Sequence, residues 1–308
     1  WDNVGKMRNR GFEAEVSYNK SINKDFGFNV AFNMSAIKNK MTELDGDVSY
    51  IGLPTSVIHS LNFDQEVSRS AIGQPIGSFY AYKEDGLFQS EAEIKSYTNN
   101  KGELLQPNAK PGDIKFVDVN GDGVIDGNDR DYIGNPLPDV TAGLTLGVNF
   151  HNFDLSLFFQ GMFGNDVYDL TRYVGDFYNQ SQYNKNSRVV NAWTPTNTNT
   201  DIPRVTMDDP NNNIRPSSYY VQDASFVRLK NMKIGYSVPQ SILSKIKFNS
   251  LYIYAQATNL FTITGYDGID PEVGLQSYSS DYRNLDMGVD RGIYPLSRTF
   301  TFGVNVSF

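Results

Sequence analysis

The sequence predicts an all-β chain of about seven antiparallel strands, belonging to a transmembrane β-barrel with long extracellular loops. Three observations predict it. Apolar residues recur at every second position over stretches of about ten residues, the period of a strand. The connections between those stretches alternate between short and long. The last stretch alternates up to a terminal aromatic residue, Phe308.

Taken in order, Phe12, Ala14, Val16 and Tyr18 alternate with Glu13, Glu15, Ser17 and Asn19. A short turn at residues 21–25 leads to Phe26, Phe28, Val30, Phe32, Met34 and Ala36, set against Gly27, Asn29, Ala31, Asn33 and Ser35. Residues 41–137 form a long region without sustained alternation. The cleanest strand pair follows: Val140, Ala142, Leu144, Leu146, Val148 and Phe150 alternate with Thr141, Gly143, Thr145, Gly147 and Asn149. After a tight break at His151 and Asn152, Phe153, Leu155, Leu157, Phe159, Gly161 and Phe163 oppose Asp154, Ser156 and Gln160. Residues 165–222, rich in Asn, Tyr, Asp and Pro, read as surface loop. Strand character returns over residues 224–238, where the apolar phase slips between Val227/Leu229 and Met232/Ile234/Tyr236, the mark of a bulge. A short connection at 239–247, a strand at 251–264, a long loop at 265–294 and a strand at 299–308 complete the chain.

Short turns at one end and long loops at the other are the habit of outer-membrane barrels, whose strands of about 9 to 11 residues carry an apolar face outward and a polar face toward the lumen. Leu144, Leu146 and Val148 are accordingly assigned to lipid, and Thr145, Gly147 and Asn149 to the lumen. A soluble β domain would bury the same apolar set as core. Strand pattern alone leaves the two readings even, and the loop alternation decides for the barrel.

Composition narrows the functions. The 308 residues carry a formal net charge of −8, and the clustered cations that nucleic acid requires are absent. No cysteine is present, which excludes disulfides and thiolate chemistry. No apolar run approaches the roughly 20 residues of a membrane helix. No signal peptide stands ahead of Trp1, and the chain reads as a piece of a longer protein.

The motifs Gly112-Asp-Ile-Lys-Phe-Val-Asp118, Ile133-Gly-Asn-Pro-Leu-Pro-Asp139 and Phe153-Asp-Leu-Ser-Leu-Phe-Phe-Gln-Gly161 resemble, in order and spacing, the SusC/RagA family of TonB-dependent transporters. Asn9-Arg-Gly-Phe-Glu13, Ile76-Gly-Ser-Phe-Tyr80, Phe226-Val-Arg-Leu-Lys-Asn231 and Ala257-Thr-Asn-Leu-Phe261 extend the likeness over nearly the whole chain. The resemblance implies import of oligosaccharides or peptides across the outer membrane of a Bacteroidetes-type bacterium. It implies a SusD-like surface lipoprotein over the long loops, energy from the TonB-ExbB-ExbD complex, and no enzymatic activity. The family's plug domain has no counterpart in residues 1–308, which match only a carboxy-terminal portion of its barrel.

Residues 118–129 form an EF-hand-like loop. Asp118, Asn120, Asp122, Val124 (through its carbonyl), Asp126 and Asp129 stand at the ligand positions of a calcium loop, with Gly123 at the sharp turn. Aspartate in place of glutamate at the last position, and the lack of flanking helices, depart from that pattern. The competing reading is a metal-free turn built on Asx bonds, and the expectation is structural calcium.

Signals for catalysis are thin. The two histidines, His59 and His151, fall in a loop and a turn, and no metal or nucleophile motif includes them. Asp208 and Asp209 would serve a glycosidase only at a spatial separation that sequence does not give. Tyr168, Tyr173, Tyr178, Tyr183, Tyr219 and Tyr220 would stack on sugars, but packing within loops or a membrane girdle is the commoner use. Two other functions stay open: a soluble, calcium-stabilised, glycan-binding module at the cell surface, and a glycan-degrading enzyme.

Overall fold

A computed structural model of the chain describes residues 5–53, 65–178, 184–246, 248–274 and 285–308. Two residues of the sequence reading, His59 and Tyr183, lie outside the described residues. Seven strands form one antiparallel meander: β1 (Gly5–Ser21), β2 (Phe26–Leu44), β3 (Val140–Phe150), β4 (Phe153–Phe163), β5 (Phe226–Ser237), β6 (Ser250–Thr258) and β7 (Thr299–Ser307). Each pairs with the next in sequence, and β1 and β7 are the edges.

The register carries the alternation across all seven strands. Tyr18, Val30, Leu146, Leu157, Met232, Ala257 and Phe300 lie in one cross-strand row, all apolar on one face. The next row, on the other face, reads Asn19, Asn29, Gly147, Ser156, Lys233, Gln256 and Thr301. Apolar side chains on the first face are left uncovered, among them Phe12, Val16, Ile253, Phe300, Phe302 and Val304. This is a piece of barrel wall, with lipid in place of a core.

Strand limits differ from the sequence reading where the alternation stops being apolar. β1 and β2 run on through Arg8, Arg10, Lys38 and Lys40, which break the apolar stripe but not the pairing, so the long loop starts only after Leu44. The slip in β5 is a bulge: Phe158 pairs with Asn231 and Phe159 with Leu229, leaving Lys230 extra. The strand expected over 251–264 breaks at Asn259, whose φ of 51° turns the chain, and Thr262–Thr264 pairs instead with β5. The connection at 239–247 is a helical turn, Gln240–Ile246.

The long loops are not irregular. Between β2 and β3, Tyr50–Gly52, Ser68–Ala71, Ser78–Tyr82 and Arg130–Gly134 form a four-stranded sheet, and Glu84–Leu87 pairs with Ile114–Phe116. Asp166–Asp169 lies between Val221–Asp223 and Val289–Asp290, so two further loops share one small sheet. Phe79, Ile114, Phe116, Tyr168, Leu170, Tyr220 and Val289 are buried together where these loops meet. The main hydrophobic core of the described residues therefore sits in the loops.

Candidate functional site

The polar groups of the chain gather on one face of the meander and in the loops at its long-loop end. Asn29 and Asn33 on β2 pair directly with Gly147 and Gly143 on β3. A Cβ on Gly147 would strike Asn29 Oδ1, so glycine on β3 leaves room for the carboxamides of β2 to lie along the wall. The same device recurs farther round: a Cβ on Gly235 would strike the Tyr252 hydroxyl, and one on Gly303 the Tyr254 ring. Lys233 sits 5.0 Å from the centroid of Tyr252 and 4.8 Å from that of Tyr254, while the Tyr252 hydroxyl donates to Asp154 at 3.0 Å. This cationic and aromatic cluster occupies the short-turn end of the wall.

At the opposite end the wall passes beneath the first loop. Asn39 Nδ2 donates to Asn9 Oδ1 (2.6 Å), and the Ile76 N–H donates to Asn39 Oδ1 (2.9 Å), fixing the Ile76–Tyr80 segment to β2. A cleft of about 280 Å³ is left there, lined by Ile37, Ile76, Leu137, Pro138 and the amides and hydroxyls around them.

Sequence reasoning missed the strongest tie between wall and loop. Arg228, only 2% exposed, donates to Asp270 Oδ1 (2.5 Å), Glu272 Oε2 (3.1 Å) and Thr262 Oγ1 (2.8 Å), and Lys230 adds a bond to Glu272 (2.7 Å). Burial works against the Asp270 charge, yet N–H groups of Glu272 and Leu296 and the Arg228 guanidinium hold its carboxyl below the usual range. The available signal was two cations, Arg228 and Lys230, inside an apolar strand motif.

The loop at 118–129 turns at Gly123, with φ of 90°. Asp118 accepts from the N–H groups of Gly121 (2.8 Å) and Gly123 (2.9 Å), Asn120 from that of Asp122, and Asp122 from that of Val124. Asp126 caps the turn Gly127–Asp129. Asp129 is fully buried and accepts from the N–H groups of Val119, Asn120 and Asp126, so both its oxygens are taken up by backbone. Among the described residues no three His, Cys, Asp or Glu side chains gather as around a metal.

The tyrosines divide. Tyr168, Tyr173, Tyr219 and Tyr220 are packed in the loop core, while Tyr178 is exposed. His151 holds the β3–β4 turn with φ of 51°, its Nδ1 3.4 Å from Asp25. Asp209 accepts from the N–H groups of Asn213 and Ile214 and is a turn residue, not one of a free carboxylate pair. In the first loop, burial, reinforced by Asp201, pushes the Glu84 carboxyl up to about 7.

No family model matches the sequence. Over 307 residues, 99% of this chain, it is 37% identical to a TonB-dependent receptor of Formosa agariphila, of which it covers 29%. It is 27% identical over 311 residues to the TonB-dependent receptor SusC of Bacteroides thetaiotaomicron, covering 27% of that protein. Among solved structures, the RagAB peptide transporter superposes with a TM-score of 0.74 at 24% identity, over 99% of this chain and 30% of that one, a likeness of fold. The chain thus spans about three tenths of the length of these relatives, and along its whole length it is similar to one stretch of TonB-dependent receptors, SusC among them, and in fold to part of the RagAB transporter.

Proposed function

We propose that this chain supplies part of the lumen wall and of the extracellular loops of an importer that carries oligosaccharides or peptides across the outer membrane. A SusD-like surface lipoprotein would close over the loop core, and the TonB-ExbB-ExbD complex would act through parts of the longer receptor that this chain does not span. The observation that carries the reading is the seven-strand register, polar and glycine-rich on one face and apolar and uncovered on the other. A soluble module or a glycan-degrading enzyme would have to cover that apolar face with a second layer, and among the described residues the loops pack on one another instead. We also propose calcium for the loop at 118–129, on the strength of its residue order. Asp118, Asn120, Asp122, the Val124 carbonyl and Asp126 would hold it, with Asp129 left to its backbone bonds.

The test is growth of the native host on a panel of oligosaccharides and oligopeptides as sole nutrient, with the full-length receptor present, deleted, or carrying Arg228→Ala. Loss of growth on one class upon deletion assigns the substrate. Unchanged growth on every member of the panel, with wild-type receptor verified in the outer membrane, would sink the import reading.

A further inference from the structure

The outward face of β1 and β2 changes character at its long-loop end. Along β1 the outward positions run Lys20, Tyr18, Val16, Ala14, Phe12 and then Arg10 and Arg8; along β2 they end in Lys38 and Lys40. The register sets Arg10 opposite Lys38 and Arg8 opposite Lys40, and all four side chains are exposed. Like charges facing each other across a strand pair destabilise it. Among the described residues none of the four has an anionic partner; the nearby Glu43 pairs with Lys6 instead. The chain as a whole has a formal net charge of −8, so these cations do not sample a generally basic surface.

Their height above the apolar belt follows from strand geometry. Lys20 and Arg10 are ten residues apart, roughly 33 Å along a strand, or about 25 Å along the membrane normal at a barrel tilt near 40°. That is the height of the hydrocarbon belt, and only Tyr18, Val16, Ala14 and Phe12 lie between them on this face. Lys20 thus marks the boundary on the short-turn side. Arg10 and Lys38 mark it on the extracellular side, with Arg8 and Lys40 one step farther out, at headgroup level.

We propose that Arg8, Arg10, Lys38 and Lys40 bind the phosphate groups of an anionic outer-leaflet lipid, a lipopolysaccharide headgroup, whose acyl chains lie along Phe12, Val16 and Phe32. Guanidinium forks take phosphate oxygens in pairs, and the two ammonium groups supply point charge beside them. The bound phosphates remove the cross-strand repulsion that the bare quartet carries. Phe12 follows Arg10 directly on this face, and Val16 and Phe32 pair with each other two outward steps farther down; all three are uncovered, so one amphiphile spans cations and apolar strip. The inference rests on this sheet being outer-membrane wall and not on what the barrel imports.

The experiment uses the full-length receptor purified in mild detergent, with retained lipopolysaccharide per receptor measured by mass spectrometry. Rebinding to lipopolysaccharide, to phosphatidylcholine and to inorganic phosphate follows. Removing two cations by Arg10→Ser with Lys38→Ser should lower lipopolysaccharide affinity about 30-fold. Lys20→Ser, at the other boundary, should leave it unchanged, and Arg10→Lys, which keeps the charge but loses the fork, should lose less than Arg10→Ser. Where the double variant fails to assemble as a heat-modifiable barrel, Arg8→Ser and Lys38→Ser are read singly, each with a smaller loss. Equal retention by wild type and the assembled Arg10→Ser/Lys38→Ser variant, or its single-site substitutes, overturns the site, as does wild-type binding with no preference over phosphatidylcholine. Competition by millimolar inorganic phosphate that matches lipopolysaccharide in strength would assign the cations to a free anion and overturn the lipid.

Discussion

Phe302 and Phe79 both lie within β-strands, yet Phe302 is 81% exposed and Phe79 is wholly buried. Phe302 belongs to the wall, where one face of every strand looks outward with nothing of the chain over it. Phe79 belongs to the loops, where it packs edge-on against Tyr168 from a different loop. The wall needs no core because hydrocarbon covers it and its backbone groups are paired between strands. The loops stand in water and have to bury apolar surface among themselves. One chain thus answers to two solvents, and regularity of pattern marks the part that lacks a core.

The largest expected effects lie on the loop side. Phe79→Ala should cost about 3–5 kcal/mol, because removal of a buried ring leaves a cavity. Phe302→Ala opens no cavity, since lipid closes over the smaller side chain, and should cost clearly less. Arg228→Ala should also cost about 3–5 kcal/mol, leaving Asp270 buried without its cation. Hydrogen exchange on the assembled full-length receptor separates the sites: Phe79→Ala should release the loop sheet, and Arg228→Ala the segment around 265–274. Equal protection in Phe79→Ala and Phe302→Ala receptors would erase the distinction between wall and loops.

Next in size are substitutions that probe which face of the wall meets lipid. Leu146→Arg places a cation in the middle of the apolar row and should cost about 2–4 kcal/mol and impair assembly. Thr145→Arg, one residue away on the lumen face, should assemble and alter transport. A lipid-quenched fluorophore at position 144 or 146 of the full-length receptor decides between barrel and soluble fold: quenching by acyl chains fits the wall described above, and a shielded site in protein that stays soluble without detergent does not.

A smaller effect should appear in the loops with pH. Glu84 is raised from its ordinary 4.5 to about 7, chiefly by burial, so the folded loops hold a proton that the unfolded chain has already lost between those values. Stability should therefore be highest below about 4.5, fall as pH rises toward 7 and level off above it. Glu84→Gln should flatten that dependence and stabilise the loops at pH 8 by on the order of 2 kcal/mol. Thermal melts of the loop region at pH 5 and pH 8 check this. Wild type and variant shifting in parallel between the two values would remove Glu84 as the cause.

How much of this was legible in the sequence follows from the same contrast. The wall was read nearly in full, down to the bulge at Lys230, because one period-two rule governs every strand and a slip in phase is visible locally. Its ends were misjudged where Arg8, Arg10, Lys38 and Lys40 keep the pairing but lose the apolar signal. Of the loop core only the packing of tyrosines such as Tyr168 and Tyr220 was legible, because each segment contributes only a few buried residues from short strands, so no period accumulates. Motifs that carried the resemblance prove to be joints of that core. Gly112, at φ of 89°, leaves no space for a Cβ beside Trp193, and Asn135 accepts from the Leu137 N–H while its own N–H bonds to Asp166. The lumen face was legible; its anchor was not, since the carboxylates that meet Arg228 lie 42 and 44 residues downstream in aperiodic sequence.

The smallest expected effect concerns the loop at 118–129, where water-side chemistry either includes an ion or does not. Asp129 already accepts three backbone N–H groups, so Asp129→Ala should loosen the loop with or without calcium. Asp122 accepts only the Val124 N–H and an Asn120 amide, both at an exposed position, and its loss alone should be mild in a metal-free turn. Extracellular calcium sites bind at about 10⁻⁴–10⁻³ M. At 1 mM ion and a dissociation constant near 1 mM, linkage gives only about 0.4 kcal/mol of stabilisation. The double variant Asp118→Ala with Asp122→Ala should abolish that increment without preventing assembly, since the loop lies outside the hydrocarbon belt. Hydrogen exchange over residues 112–137, measured with calcium and with chelator, reads it directly. Calcium-dependent protection in wild type that disappears in the double variant places an ion on the loop. Protection that ignores calcium in both proteins, while Asp129→Ala still loosens the segment, leaves the backbone bonds as the whole explanation of these carboxylates.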